Sequence, residues 1–254
     1  MLRRRVITVL TFVDGVLFRT KLFEPDYRYT LNFVDAWSVD EIVVLDVTRN
    51  PQADRTAFDG VVQNFARNCF VPLAAGGGIR DLGHVRRYLD LGADKVVVNT
   101  GALERPELIN EVARAHGSQC CVVSIDARRT DGRTDEGGYE VCSTFGGTPT
   151  GQDPVAWARE AVDRGAGEIM ITAIEHDGAL SGYDLDLCRR VADAVPVPVL
   201  ICGGAGNWKH FLSGFEVGGA DAVCTTNIYH FTETSIHSAK AFLAKNGVPV
   251  RVSQ

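Results

Sequence analysis

Short apolar runs recur along this chain, separated by longer stretches in which apolar positions return every three or four residues. The runs predict eight strands, at Arg5–Thr11, Glu41–Val47, Phe70–Ala75, Asp94–Asn99, Gln119–Asp126, Glu168–Thr172, Pro198–Cys202 and Asp221–Thr225. They are rich in Val, Ile and Leu and alternate poorly, as parallel strands buried on both faces do. Helical patterns lie between them. Leu82–Leu91 carries Val85 and Leu89 beside the polar pair Arg86-Arg87, and Pro106–Ala115 opens with a proline at a first-turn position and Glu107 next to it. Asp153–Arg164 begins with Asp153 as N-cap and Pro154 at the first helical position, and Gly165 ends it. Strands alternating with helices predict a parallel sheet, and eight strands in a chain of this length predict an α/β fold of the (β/α)8 barrel (TIM barrel) type.

The pattern nearly repeats at an offset of 127, half of the 254 residues. Gly76-Gly77 realigns on Gly203-Gly204, Gly92-Ala93-Asp94 on Gly219-Ala220-Asp221, and Glu41 on Glu168. This period is too long for a solenoid unit and implies two fused half-barrels, about 1–118 and 119–254, in one domain spanning 1–254. The tight spacing leaves no interdomain linker. Arg128–Gly151, with three Gly-containing turn pairs, is the longest irregular stretch and is expected to form a mobile hairpin or lid after the fifth strand.

A composition of 45% hydrophobic and 23% charged residues is enough for a sizeable core. The net charge of −6 and pI near 5.5 argue against a nucleic-acid partner or an anionic membrane surface, so an anionic substrate must be held by local donors. No apolar stretch approaches the ~20 residues needed to span a membrane. Met1-Leu2-Arg3-Arg4-Arg5 followed by Val6–Leu10 superficially resembles a signal peptide. Asp14 cuts that run short and no small-residue cleavage site follows, so a first barrel strand is the expected reading. Seven cysteines without a CxxC pair point to buried, reduced thiols and a cytoplasmic setting. No cofactor and no metal are expected.

Glycine clusters follow two strands, Gly76-Gly77-Gly78 after the third and Gly203-Gly204-Ala205-Gly206 after the seventh. Glycines let backbone N–H groups approach an oxyanion closely, and a following helix N-terminus adds a favourable dipole. Gly77, Gly78, Asn99 and Thr100 would make one phosphate site, and Gly203, Gly204, Thr226 and Asn227 a second. Each cluster alone could merely turn the chain. Two related by the repeat imply an elongated substrate with a phosphate at each end. Asp126 ends the fifth strand, where a carboxylate serves as a general acid or base, or else caps a loop. Asp46, Thr172 and Asp177 occupy comparable ends, although Asp177-Gly178 also reads as a turn. Arg5, Glu41, Lys95 and Glu168 each sit at the start of a strand and would gather at the opposite mouth. There they form either solvated strand ends or a closed ring of salt bridges.

These segments resemble the cyclase subunit of imidazole glycerol phosphate synthase (the HisF family) over essentially the whole length. The resemblance is carried by Leu73–Arg80, Gly117-Ser118-Gln119, Ser124–Arg129, Arg164–Ile169 and Asp177-Gly178 with Gly182-Tyr183-Asp184. It continues through Gly203–Gly206 and Ile228-Tyr229-His230-Phe231. It implies a partner, a HisH-like glutaminase docked on the N-terminal face, and ammonia passing along the barrel axis to a phosphorylated substrate at the other face. It makes Arg5, Glu41, Lys95 and Glu168 the ammonia gate, Asp94 a partner contact, and Asp126 one of two catalytic aspartates. The other catalytic position holds Thr11, because the family's Cys-Leu-Asp reads here as Val9-Leu10-Thr11, and the family's loop lysine is Arg19. A threonine hydroxyl hydrogen-bonds but does not shuttle a proton near neutral pH.

Those departures resemble a HisF-like branch that delivers ammonia to a sugar-amidinating ligase in surface-polysaccharide pathways. The leading expectation is such a paralogue. A working imidazole-forming cyclase, with Asp126 assisted by Thr11 or a displaced carboxylate such as Asp14, is the second, and a non-catalytic anchor of the glutaminase the third. A HisA-like isomerase shares the repeat but not the charged quartet.

Overall fold

The structure, a computed structural model, describes residues 3–28, 39–50, 52–130, 138–225 and 236–251. The chain runs through β1 (Arg5–Val13), β2 (Val16–Lys21), β3 (Glu24–Arg28), β4 (Glu41–Asp46), α1 (Thr56–Asn68), β5 (Leu73–Gly76), α2 (Leu82–Asp90) and β6 (Lys95–Val98). It continues with α3 (Thr100–Glu104), α4 (Glu107–His116), β7 (Cys121–Arg129), β8 (Tyr139–Ser143), β9 (Thr148–Pro149) and α5 (Pro154–Asp163). Then follow β10 (Glu168–Ala173), α6 (Leu185–Ala192), β11 (Val199–Cys202), α7 (Trp208–Glu216), β12 (Ala222–Thr225) and a last helix, Ile236–Lys245. Eight strands pair in parallel in the order β1-β4-β5-β6-β7-β10-β11-β12, and β12 returns to β1, which closes the barrel. All eight expected strands are present and the (β/α)8 fold is established.

The boundaries differ where pairing, rather than hydrophobicity, decides. The third strand begins at Leu73, the first residue in register with β4, so Phe70 stays outside it and is 77% exposed. The first strand runs past Thr11 to Val13 and turns back through Asp14-Gly15 into β2. Both turn residues have positive φ, 49° and 74°, the type I′ geometry that a two-residue Asp-Gly hairpin loop favours. β2 in turn pairs with β3. Arg128–Gly151 is more regular than its composition suggests. β8 pairs antiparallel with β7 from Asp126↔Cys142 to Arg129↔Tyr139, and β9 adds to β8. The tip of that hairpin, 131–137, lies outside the described residues.

Helix ends follow local chemistry. Asp153 caps α5 by accepting from Ala156 N at 2.8 Å, with Pro154 in the first turn, and Gly165 at φ 110° ends it. Asp81 and Asp184 cap α2 and α6 in the same way. A second use of carboxylates is particular to the barrel's N-terminal face. Asp40, Asp94 and Asp221 each precede a strand and accept the backbone N–H of a neighbouring strand: Val6 at 2.8 Å, Leu73 at 2.9 Å and Val199 at 3.1 Å. Asp94 and Asp221 are repeat-related, so both halves staple adjacent strands alike. Asp94, which the resemblance assigns to partner contact, is exposed on that face while making this internal bond.

Asp40 also receives the ammonium of Lys240 at 2.6 Å, and Lys240 is only 2% exposed. This ion pair fastens the last helix to the base of β4. No helix among the described residues is long and apolar enough to cross a membrane. Lys240→Met leaves the Asp40 charge buried without its counter-ion and is expected to destabilise the fold by about 3–5 kcal/mol. Urea denaturation checks this, and the double variant with Asp40→Asn should recover part of the loss.

Candidate functional site

A cavity of about 550 Å³ opens where the barrel strands end. Its floor is the apolar interior cluster, including Val9, Val97 and Met170. Its walls include Gly77, Gly78, Asn99 and Thr100 on one side and Gly203 and Gly204 on the other. The two sequence-predicted glycine turns therefore face one space. At Gly77 φ is 119° and a Cβ would sit 2.3 Å from the Asp46 carbonyl oxygen; at the repeat-related Gly204 φ is 104° and a Cβ would sit 2.0 Å from the Gly182 carbonyl oxygen. Only glycine fits either position. Tyrosines brace both sides: Tyr88 Oη donates to the Gly77 carbonyl at 2.9 Å, and Tyr183 Oη to the Cys224 carbonyl at 2.8 Å. Thr226 and Asn227 lie outside the described residues, as does the side chain of Arg19 in β2.

Three carboxylates line the cavity, and their partners separate their roles. Asp46 accepts from Thr48 N at 2.9 Å with one oxygen and pairs with Arg55 through the other. It is committed to holding Arg55, whose guanidinium packs on Gly78 beside the first glycine turn. Asp177 accepts from Thr20 Oγ1 at 3.1 Å and from Phe23 N at 3.0 Å, tying the β2–β3 hairpin across the mouth. Burial pushes its carboxyl upward against those two bonds. Asp126 accepts from Asn99 Nδ2 at 2.7 Å, the one hydrogen bond it receives among the described residues. Burial pushes Asp126 up to about 7; Asn99 opposes the shift and the nearby Asp177 adds to it. A carboxyl balanced near neutrality with its second oxygen facing the cavity can give or take a proton.

Thr11 and Asn99 meet partners that the sequence did not indicate. Thr11 and Thr172 line the cavity as expected. The Thr11 hydroxyl, however, donates to the Phe18 carbonyl at 2.6 Å within the β1–β2 hairpin. Asn99, expected at the phosphate, turns its amide to Asp126. The displaced carboxylate proposed at Asp14 is a correction: Asp14 is exposed in the hairpin turn and is not part of the cavity wall. Sequence reasoning missed Arg55, Thr20 and Phe23. Their partners lie nine, 157 and 154 positions away, and no motif marks them.

At the other end of the barrel the charged quartet forms a closed ring. Arg5 reaches Glu41 at 2.7 Å and Glu168 at 2.8 Å, and Lys95 reaches each of the same carboxylates at 2.9 Å. Cations and anions alternate around the axis. Burial pushes the Glu41 carboxyl up against the pull of Lys95. Burial also works against the Arg5 charge, but Glu168 and Glu41 outweigh it and raise its hold on the proton. Between ring and cavity the interior is apolar: Ile7, Val43, Ala74, Val122, Leu200 and Ala222.

A family model described as histidine biosynthesis protein matches residues 7–235, most of the chain and all eight barrel strands except the first residues of β1.

The Asp126 carboxyl ionises near 3.8 in an unfolded chain and at about 7 in the folded protein. Between those values the folded state holds the extra proton, so this group makes stability fall as pH rises from about 4 to about 7. Replacing it by Asn should remove that slope. Denaturation of wild type and Asp126→Asn across the window checks this, with the variant's relative stability rising toward pH 7 by several kcal/mol in order of magnitude.

Proposed function

Because the chain belongs to the histidine biosynthesis protein family, we propose that it is a HisF-like synthase subunit that partners a HisH-like glutaminase. In this reading it conducts ammonia through its barrel and supplies it for amidination of a sugar or another small molecule. The observation that carries it is the closed Arg5–Glu41–Lys95–Glu168 ring beneath an apolar interior that leads to a cavity with two glycine turns. Neutral ammonia crosses such an interior at little cost, whereas ammonium would lose its hydration without finding a counter-charge. Among the described residues the ring is the one charged layer on that path, and in this reading breaking one of its bonds would admit a small neutral molecule. Glutamine hydrolysis on the N-terminal side would then reach the cavity without release to water. At the cavity Asp126 moves a proton, the glycine turns hold phosphate, and Arg55 adds charge to the first turn.

The paralogue reading rests on position 11. The Thr11 hydroxyl is occupied by Phe18, and no second carboxylate in the cavity is unengaged among the described residues. Paired acid–base chemistry therefore lacks a member. The alternative, an imidazole glycerol phosphate synthase cyclase of histidine biosynthesis, draws support from the family match itself and from Asp126, whose carboxyl, pushed up to about 7, suits proton transfer at neutral pH.

Turnover of the bisphosphate formimino ribonucleotide by the purified barrel with excess ammonium separates the readings. The paralogue reading expects no measurable wild-type rate and a gain of about 100-fold or more in Thr11→Asp, the usual contribution of one acid–base group. Robust wild-type turnover makes the protein a cyclase. If the barrel stimulates a glutaminase but no acceptor is ever modified, only the anchoring role survives.

Lys95→Ala opens the ring on one side. It is expected to uncouple glutamine hydrolysis from product formation while leaving ammonium-dependent product formation intact. Unchanged coupling would reduce the quartet to a solvated rim.

A further inference from the structure

Among the seven cysteines, Cys202 and Cys224 alone line the cavity. Cys202 ends β11 and Cys224 lies in β12. The strands run parallel with Leu200 beside Ala222 and Ile201 beside Val223, so the next pair in register is Cys202 with Cys224. Both belong to the interior cluster with Val9, Val97 and Met170, which puts both thiols on the cavity floor. The Cys202 thiol is near enough to add to the burial that keeps the Cys224 thiol protonated. Adjacent strands lie about 4.8 Å apart, within the roughly 4.4–6.8 Å between Cα atoms that a disulfide spans.

We propose that Cys202 and Cys224 form a dithiol site that closes to a disulfide when hydrogen peroxide enters the cavity. One thiol gives up its proton and its sulfur attacks a peroxide oxygen. The O–O bond breaks, the departing hydroxide takes that proton as water, and a sulfenic acid remains. The neighbouring sulfur then displaces the hydroxyl, which leaves with the second thiol's proton as another water. Two thiols are oxidised by two electrons in all, and one peroxide is reduced to two waters. Cys202 is joined directly to Gly203, so the new bond ties the second glycine turn to β12 at the head of the apolar interior. The inference rests on the cavity floor alone and holds whichever molecule takes the ammonia.

Burial holds the Cys224 thiol well above its ordinary range, with the neighbouring Cys202 acting in the same sense. Closure is therefore slow at neutral pH and speeds up as pH rises, by about tenfold per unit while the thiolate is the minor form.

The test treats the folded full-length chain with hydrogen peroxide, then denatures it, alkylates the remaining thiols and maps the peptides. The expected product is a reducible cross-link between the peptides holding Cys202 and Cys224. It should be absent in Cys202→Ser and in Cys224→Ser, with circular dichroism to show that each variant is folded. Cys69, half-buried on the outside, reports that oxidant was present. If either variant fails to fold, phenylarsine oxide on the wild-type chain decides, because one equivalent should protect both cavity thiols from alkylation. Cys69 oxidised while Cys202 and Cys224 both remain alkylatable would overturn the proposal, as would separate oxidation of the two sulfurs without a cross-link.

Discussion

A closed parallel barrel must fill its own interior from alternate residues of eight strands, and everything else in this molecule depends on how that filling changes along the axis. The bottom layer is charged, with two cations and two carboxylates in a ring. The middle is apolar. The top is polar and open, with Asp126 and the glycine turns around it. Four of the eight strands, β1, β4, β6 and β10, carry a charged residue at one end, and the strands as a set bring hydrophobes to the centre and cavity-lining residues to the other end. Barrel closure turns that one-dimensional order into three stacked discs. Every member of the ring meets two partners of opposite sign, which offsets part of the cost of burying Glu41, although burial still pushes its carboxyl up.

The same order explains what could be read from the sequence. Strands were legible because buried parallel strands are continuous apolar runs, and the ring was legible because its members are the charged residues that open those runs. The glycine turns were legible because their spacing repeats. Boundaries failed at Phe70, where an apolar residue continues the run after pairing has ended, and at Thr11, where the strand continues into a hairpin. The Asp14-Gly15 signal for that hairpin was present, but an interrupted apolar run hid it. The allocation of Asp46, Asp126 and Asp177 to different partners was not legible. All three end strands or begin loops in similar sequence, and only the fold decides that Arg55 reaches the first, Asn99 the second, and Thr20 with Phe23 the third.

The two halves preserve their scaffold more faithfully than their chemistry. Glu41 and Glu168, Gly77 and Gly204, and Asp94 and Asp221 do equivalent work in each half. Around the first glycine turn stand Arg55 and Thr100; around the second stand Cys202 and Cys224. Among the described residues the two glycine turns therefore have different neighbours, an arginine with a threonine at the first and two cysteines with Asp177 and His176 at the second.

The β2–β3 hairpin begins beside β1 yet is fastened to the far side of the mouth, where Asp177 after β10 holds Thr20 and Phe23, while Arg49, just after β4 beside β1, donates to the Phe23 carbonyl at 3.2 Å. If entry to the cavity requires these contacts to open, they open both on the way in and on the way out. A barrier shared by both directions leaves the equilibrium constant untouched while lengthening the time scale of exchange. Such a bridge acts on residence rather than affinity, and in the reading proposed above it would hold a molecule in the cavity while ammonia arrived along the axis from below.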